Sequence, residues 1–489
     1  MALQLDEKAL RGVVEEVLAR LARTPAGPAP APAARPAGAP AFVSQAGRYG
    51  VFADAADAAA AAMKAFEQLR EKGVEARRTV VDIVKRLATD NAEAWGRFEF
   101  EETSIGRLEH KVEKLRIVRL VPGVEWLHPR GMSGDHGITL EEFTPFGVVA
   151  AILPVTHSIP TLSGNIINIV AAGNAVVFNP HPGGARSAAL AVRTYNEAIE
   201  RATGIQNLVC TIERPSLESF DALCRSPEIG LLCVTGGPAV VGAAMKSGKR
   251  AICAGPGNPP VLVDDTVDPD KAARDIVAGA AFDNNLLCIG EKQVFVLERM
   301  AGALIRGLEK AGAVQLGSSQ IEKLAAAAFT MKADAGGCSH PVLNRELVGK
   351  DAAVLARHAG ATVPEKTPLL FGETGADHAF VMEEQMMPML PIVRVKSVEE
   401  GIALAKRSEH GYKHSAIIHT LNVNHMTAMA RALDTTLFVK NGPSVAGLGL
   451  GGEGYLSYSI ATTTGEGITN PATFTRTRRC VMVDNLRIY

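Results

Sequence analysis

Residues 174–212, NAVVFNPHPGGARSAALAVRTYNEAIERATGIQNLVCTI, read as a strand, a helix and a second strand. NAVVFNP (174–180) and LVCTI (208–212) are short apolar runs rich in β-branched residues, and the stretch 185–202 between them has a helical pattern. A helical crossover of this length returns the chain to the same end of a sheet, so the two strands are expected to be parallel. The alternation continues on both sides. GVVAAILP (147–154) precedes it, and IGLLCVTG (229–236), a helical stretch at 239–247 and PPVLVDD (259–265) follow. A second alternating region contains KQVFVLE (292–298), a helical stretch at 301–311, HAFVME (378–383) and PIVRVKS (391–397). Upstream, residues 52–103 read as helices. This pattern predicts an α/β fold with two doubly wound domains, 42–262 and 263–455. A segment 456–489 follows them, and its end, TRTRRCVMVDNLRIY, alternates like a strand that could pair with another subunit.

With 489 residues and 47% hydrophobic content, the chain can bury two large cores. A formal net charge of −1 leaves no electrostatic footprint for nucleic acid or an anionic membrane. The seven cysteines are scattered, odd in number and without metal-ligand spacing, which excludes a disulfide framework or a zinc site as the organising feature. No secretory signal is expected at the start, and no run reaches the roughly 20 apolar residues of a membrane span. A reducing cytosol fits these observations.

The first 41 residues stand apart. Residues 6–22, DEKALRGVVEEVLARLA, set Leu10, Val13, Val14, Val17, Leu18 and Leu21 at helical spacing. Residues 24–41 follow, with six prolines that favour an extended spacer. A short amphipathic helix (1–22) on a Pro/Ala leash (23–41) cannot bury its stripe within itself. Its apolar face either packs on its own globular body or serves a partner by helix-in-groove docking.

Four segments carry chemistry. Cys288 lies in FDNNLLCIGEKQVFV, between a helical run and a strand, where a scaffold can present a nucleophile. A free cysteine is far more often a small buried apolar residue. VTGGPAVVG (234–242) follows a strand and opens a helix, which suits a phosphate or is a plain turn. CAGPGNPP (253–260) is a tight turn with no side chain able to act as a base. EEQMMPMLP (383–391) sets an acidic residue before a Met/Pro turn.

Taken in order with LPVTHSIP, AAGNAVVFNPHPGGAR and the terminal TRTRRCVMVDNLRIY, these segments resemble the aldehyde dehydrogenase superfamily over nearly everything from residue 42 onward. Within it they are most similar to the CoA-acylating branch, near the propionaldehyde dehydrogenases of propanediol-utilising bacterial microcompartments. The N-terminal helix and leash resemble the encapsulation peptides of such enzymes.

The resemblance implies a Rossmann-like cofactor domain, a catalytic domain and a β oligomerisation arm, in which residues 127–145 pair with the C-terminal strand. It implies that Cys288 is the nucleophile and that Thr235, Gly236 and Gly237 lie beside the NAD pyrophosphate. Glu384 would hold the nicotinamide ribose. Asn179, Pro180 and His181 would meet the adenosine half of NAD and, in turn, of coenzyme A. Two departures from the wider superfamily matter. Where hydrolytic members carry a glutamate that activates water, this chain has Ala254, and no acidic residue lies between Lys249 and Val263. Where relatives have an oxyanion-holding asparagine stands His157, either an N–H donor in its place or a residue filling the pocket.

The expected activity is therefore oxidation of a short aldehyde, propionaldehyde by resemblance, to acyl-CoA with NAD⁺ through a reversible ping-pong thioester scheme. The competing readings are a hydrolytic dehydrogenase releasing free acid, an acyl-phosphate reductase and a non-catalytic scaffold. The expected setting is the lumen of a bacterial microcompartment in the cytoplasm, with a shell or cargo partner at the N-terminal helix. A homodimer or homotetramer is expected, with no metal, nucleic acid or membrane.

Overall fold

The computed structural model describes residues 47–333 and 339–484. The expected helix at 1–22, the leash at 23–41 and the last residues, 485–489, lie outside the described residues.

The βαβ alternation builds two parallel sheets. The first has six strands in the order Val51–Phe52, Val209–Ile212, Ala175–Pro180, Val148–Leu153, Ile229–Thr235, Ala251–Ala254. From Val148–Leu153 the chain winds outward one way through 175–180 and 209–212, then returns to add 229–235 and 251–254 on the other side. The reversal falls between 148–153 and 229–235. In open α/β sheets, ligands bind at the carboxyl ends of strands at such a switch point. Helix Ser158–Ala171 is buried along its whole length, its polar side chains included.

The second sheet has seven strands in the order Val314–Gln315, Leu370–Glu373, Met389–Val395, Gln293–Leu297, Pro260–Val263, Ser415–His419, Leu437–Lys440, all parallel. Pro260–Val263 sits at its centre, with Val261 opposite Val294 on one side and Ile417 on the other. The expected division at 262 is thus corrected to the passage 255–259, between the last strand of the first sheet and this one. A buried parallel run carries no mark of which sheet it joins, so PPVLVDD read as the end of the first alternation. HAFVME also differs from expectation. Ala379–Met382 is one turn of helix capped by His378, whose Nδ1 accepts the Phe380 N–H at 3.2 Å, and the strand beside 389–395 is Leu370–Glu373. A four-residue apolar run does not distinguish the two periods.

After the second sheet the chain returns. Leu456, Tyr458, Ile460 and Phe474 pack in the core of the first domain. Strand Thr475–Val483 then pairs antiparallel with Gly137–Pro145, which pairs with Arg130–Gly134. Val481 and Val483 on this three-stranded arm are exposed.

Candidate active site

Three of the four segments singled out in the sequence, those of Cys288, CAGPGNPP and EEQMMPMLP, converge through the second sheet. Four neighbouring strands, 389–395, 293–297, 260–263 and 415–419, are preceded at their N-terminal ends by Glu384, Cys288, Gly257 and His414 respectively. Parallel strands bring their starts to one edge, so residues far apart in sequence meet there.

Cys288 follows an unusual turn. Asp283, Asn284 and Asn285 have φ of 50°, 55° and 62°, three consecutive left-handed residues that are not glycine, all fully buried. Asp and Asn tolerate this region better than other L-residues, yet three together persist only where the surroundings over-determine them. Asp283 accepts the Arg107 N–H at 2.9 Å and bonds Lys114 Nζ. Asn284 accepts from Arg107 Nε at 2.6 Å and donates to Gly349 O and Asp351 Oδ1. Asn285 donates to the Glu291 carbonyl at 2.8 Å, while Lys292 Nζ donates to both its carbonyl and its Oδ1 at 2.7 Å. The loop from 285 to 292 is thereby stitched closed around Cys288.

Burial pushes the Cys288 thiol up to about 12, with the Glu384 carboxylate adding to the rise. Lys292 and the N–H groups of Cys288 and Ile289 oppose it. Burial also lifts Glu384 to about 7, against the pull of Lys292 and of the Gly257 N–H. The same desolvation brings Lys292 down to about 8. Gln385 donates to the Lys292 carbonyl at 2.9 Å, tying the Glu384 turn to the Cys288 loop.

Gly257 holds the passage between the sheets close to all of these. A β-carbon there would lie 2.6 Å from the Cys288 carbonyl oxygen and 2.9 Å from Cγ of His414. His414 is fully buried, with Nδ1 2.8 Å from Ser415 Oγ and no hydrogen-bond partner at Nε2. Burial and Lys292 bring its pKa down to about 4, so the imidazole is neutral. Ala254, at the end of its strand, brings no base, and the passage that follows has no carboxylate.

The remaining expected residues emerge from the carboxyl ends of the first sheet, around its switch point. His157 precedes helix 158–171. It is buried against Tyr458, ring centroids 5.7 Å apart, and its Nδ1 is 2.9 Å from Thr156 Oγ1. Burial, reinforced by Lys114 and Lys111, holds its pKa well below the usual histidine value. Thr235 ends strand Ile229–Thr235, with Oγ1 2.8 Å from Ser459 Oγ. Gly236 and Gly237 lead into helix Pro238–Lys246, which has no side-chain cap. A β-carbon on Gly237 would meet nothing within 4 Å, so the protein's own packing does not demand glycine there. An uncapped helix start behind open space fits a pyrophosphate. Asn179, at the end of its strand, accepts from Ser219 Oγ at 2.6 Å, and His181 Nδ1 accepts the Gly183 N–H at 3.0 Å. Pro180 lies between them.

The aldehyde dehydrogenase family profile matches residues 44–454. The chain is 45% identical to the acetylating acetaldehyde dehydrogenase EutE of Salmonella typhimurium, over 90% of this chain and 93% of that protein. This chain belongs to the aldehyde dehydrogenase family. Among solved structures it is similar to a Rhodopseudomonas palustris propionaldehyde dehydrogenase with bound CoA and an acylated cysteine. That match has a TM-score of 0.86 and 42% identity, over 90% of this chain and all of that one. A propionaldehyde dehydrogenase from the Clostridium phytofermentans fucose utilisation microcompartment matches with TM-score 0.86 and 41% identity, again over 90% of this chain and all of the other.

Within this aldehyde dehydrogenase, sequence reasoning missed Lys292, Gly257 and His414. His414 immediately precedes the buried strand Ser415–His419, so its ring lies at the sheet edge where the site forms. The structure sets Cys288 and Glu384 ahead of two neighbouring strands, and links the segment of His157 to that of Cys288 through Lys114 and Asp283.

Proposed function

We propose that this chain oxidises a short aldehyde, propionaldehyde foremost, to its acyl-CoA through a thioester on Cys288. The observation that carries the reading is the passage 254–260, which lies against Cys288 yet holds no carboxylate to activate water. An acyl-enzyme formed there awaits a stronger nucleophile than water.

The Cys288 thiol gives its proton to water, and the thiolate sulfur adds to the aldehyde carbonyl, whose π pair becomes an alkoxide. Backbone N–H of Cys288 and an N–H of neutral His157 hold that oxygen. Collapse of the alkoxide expels the C–H electron pair as hydride and leaves a thioacyl group on Cys288. The nicotinamide dinucleotide, when bound, supplies the hydride acceptor. Thr235, Gly236 and Gly237 hold its pyrophosphate, Glu384 its ribose, and Asn179, Pro180 and His181 the adenosine end that CoA occupies in turn. The CoA thiol then attacks the thioacyl carbon, His414 Nε2 takes its proton, and the bond to Cys288 breaks to release acyl-CoA. Thioester replaces thioester, so the sequence runs in both directions.

The activities of the similar proteins support this reading, and the microcompartment origin of one supports a lumenal setting with packaging through residues 1–22. The exposed valines of the arm support a homodimer or homotetramer. Incubating the protein with propionaldehyde and NAD⁺ but no CoA, followed by peptide mass spectrometry, tests the scheme. One propionyl group on the Cys288 peptide, discharged by added CoA, is the expected result. Acylation elsewhere, or none, would overturn it.

A further inference from the structure

Four charged side chains lie fully buried side by side, and the scheme above uses none of them. Glu99 comes from helix Ala92–Thr103, Lys111 and Lys114 from helix Leu108–Arg116, and Asp283 opens the left-handed turn before Cys288. Lys114 Nζ donates to Asp283 Oδ2 at 2.5 Å and to the Thr156 carbonyl at 3.1 Å. Lys111 Nζ donates to the same carbonyl at 2.7 Å and to Glu99 Oε1 at 3.1 Å, and lies 3.8 Å from Asp283. The other oxygen of Glu99 accepts the Ile159 N–H at 2.8 Å. His157 is thus gripped through the backbone on both sides, at 156 and at 159. Asp283, bound to the same lysines, begins the turn that delivers Cys288.

Two ammonium and two carboxylate groups balance, so the cluster is neutral when every member is charged. As a stabilising device it is a poor choice, because apolar side chains of the same volume hold a core as well or better. Apolar side chains cannot, however, bind a carbonyl, an amide and a turn at fixed separations. The arrangement is therefore explained by position rather than stability.

We propose that this quartet is the device that sets His157 against Cys288, with Lys114 as the positioning residue that spans the two segments. The proposal rests on the assignment of His157 and Cys288 made above.

The test measures the pre-steady-state burst of NADH per folded active site in the full chain. Lys114→Met removes both bonds and leaves the buried cluster with two carboxylates and only the Lys111 ammonium, 3.8 Å from Asp283, so its Tm falls. Its burst is expected to slow by about 30-fold or more, because small misplacements of reacting groups carry losses of that order. Lys114→Met with Asp283→Asn has no unpaired charge and keeps an Asn suited to the left-handed turn. That double variant is expected to regain most of the lost Tm while its burst stays slow by about 10-fold or more. Recovery of the burst together with Tm would show a merely structural role and overturn the proposal. Should the single variant fail to fold, the double variant decides the matter by the same criterion. Cys288→Ala is measured alongside. Surviving turnover there would remove the nucleophile assignment and this proposal with it. A normal burst in the Lys114 variants with turnover lost in Cys288→Ala would overturn the positioning role alone.

Discussion

Gly257 packs against Cys288 so closely that a β-carbon on it would lie 2.6 Å from the Cys288 carbonyl oxygen. Its α-carbon also faces the ring of His414. The passage between the two sheets is thus part of the site itself, and residue 257 has no room for a side chain.

Gly257→Ala should therefore lose turnover by about 100-fold through displacement of Cys288 and His414. The clash of a single methyl should cost about 1–3 kcal/mol of stability, leaving a folded protein. NADH formation and thermal unfolding measured together check this, and a near-normal rate would contradict the packing described.

The alternation that reads as two doubly wound domains in the sequence is present, and Cys288 and Glu384 precede neighbouring strands of the second sheet. The assignment of PPVLVDD failed because strands buried on both faces look alike whichever sheet they join. His414 was passed over because KHSAII reads as the start of an ordinary strand, and its role depends on which strands become neighbours. That information lies in the topology. The DNN turn is different: three residues tolerant of positive φ in a row were visible, but nothing local tells a buried left-handed turn from an exposed loop.

Glu384 raises the Cys288 pKa, so removing its charge should make the thiol more reactive. In Glu384→Gln, alkylation by iodoacetamide at pH 8 should be about 3-fold faster or more. Lys292→Met should slow it. An unchanged or slower rate in Glu384→Gln would show that the carboxylate does not act on the sulfur.

Glu291 is fully buried, accepts from Ser444 N at 2.8 Å and Ser444 Oγ at 2.7 Å, and burial lifts it from 4.5 to about 7. Between those values the folded state holds more protons than the unfolded one, so this group makes stability fall as pH rises through that window. Glutamine mimics the protonated acid at this position. The Tm of Glu291→Gln should decline less than that of the unaltered protein between pH 5 and 7, and an equally steep decline would contradict the assignment.

His414→Ala removes the neutral base proposed for the CoA thiol and leaves hydride transfer untouched. The first-turnover burst of NADH should persist while the CoA-dependent steady-state rate falls by about 100-fold. Loss of the burst itself would move His414 to the earlier half of the reaction.

Deleting residues 1–41 should leave turnover unchanged and abolish packaging into shells, read by co-purification. Lost activity in the truncated protein would contradict a modular N-terminal segment.

The most direct test of the central claim is NADH production from propionaldehyde and NAD⁺ with and without CoA. Sustained turnover only with CoA, and no more than a single burst without it, is the expected result. Sustained turnover without CoA would mean that water resolves the Cys288 thioester despite Ala254, and would contradict the acyl-transfer account.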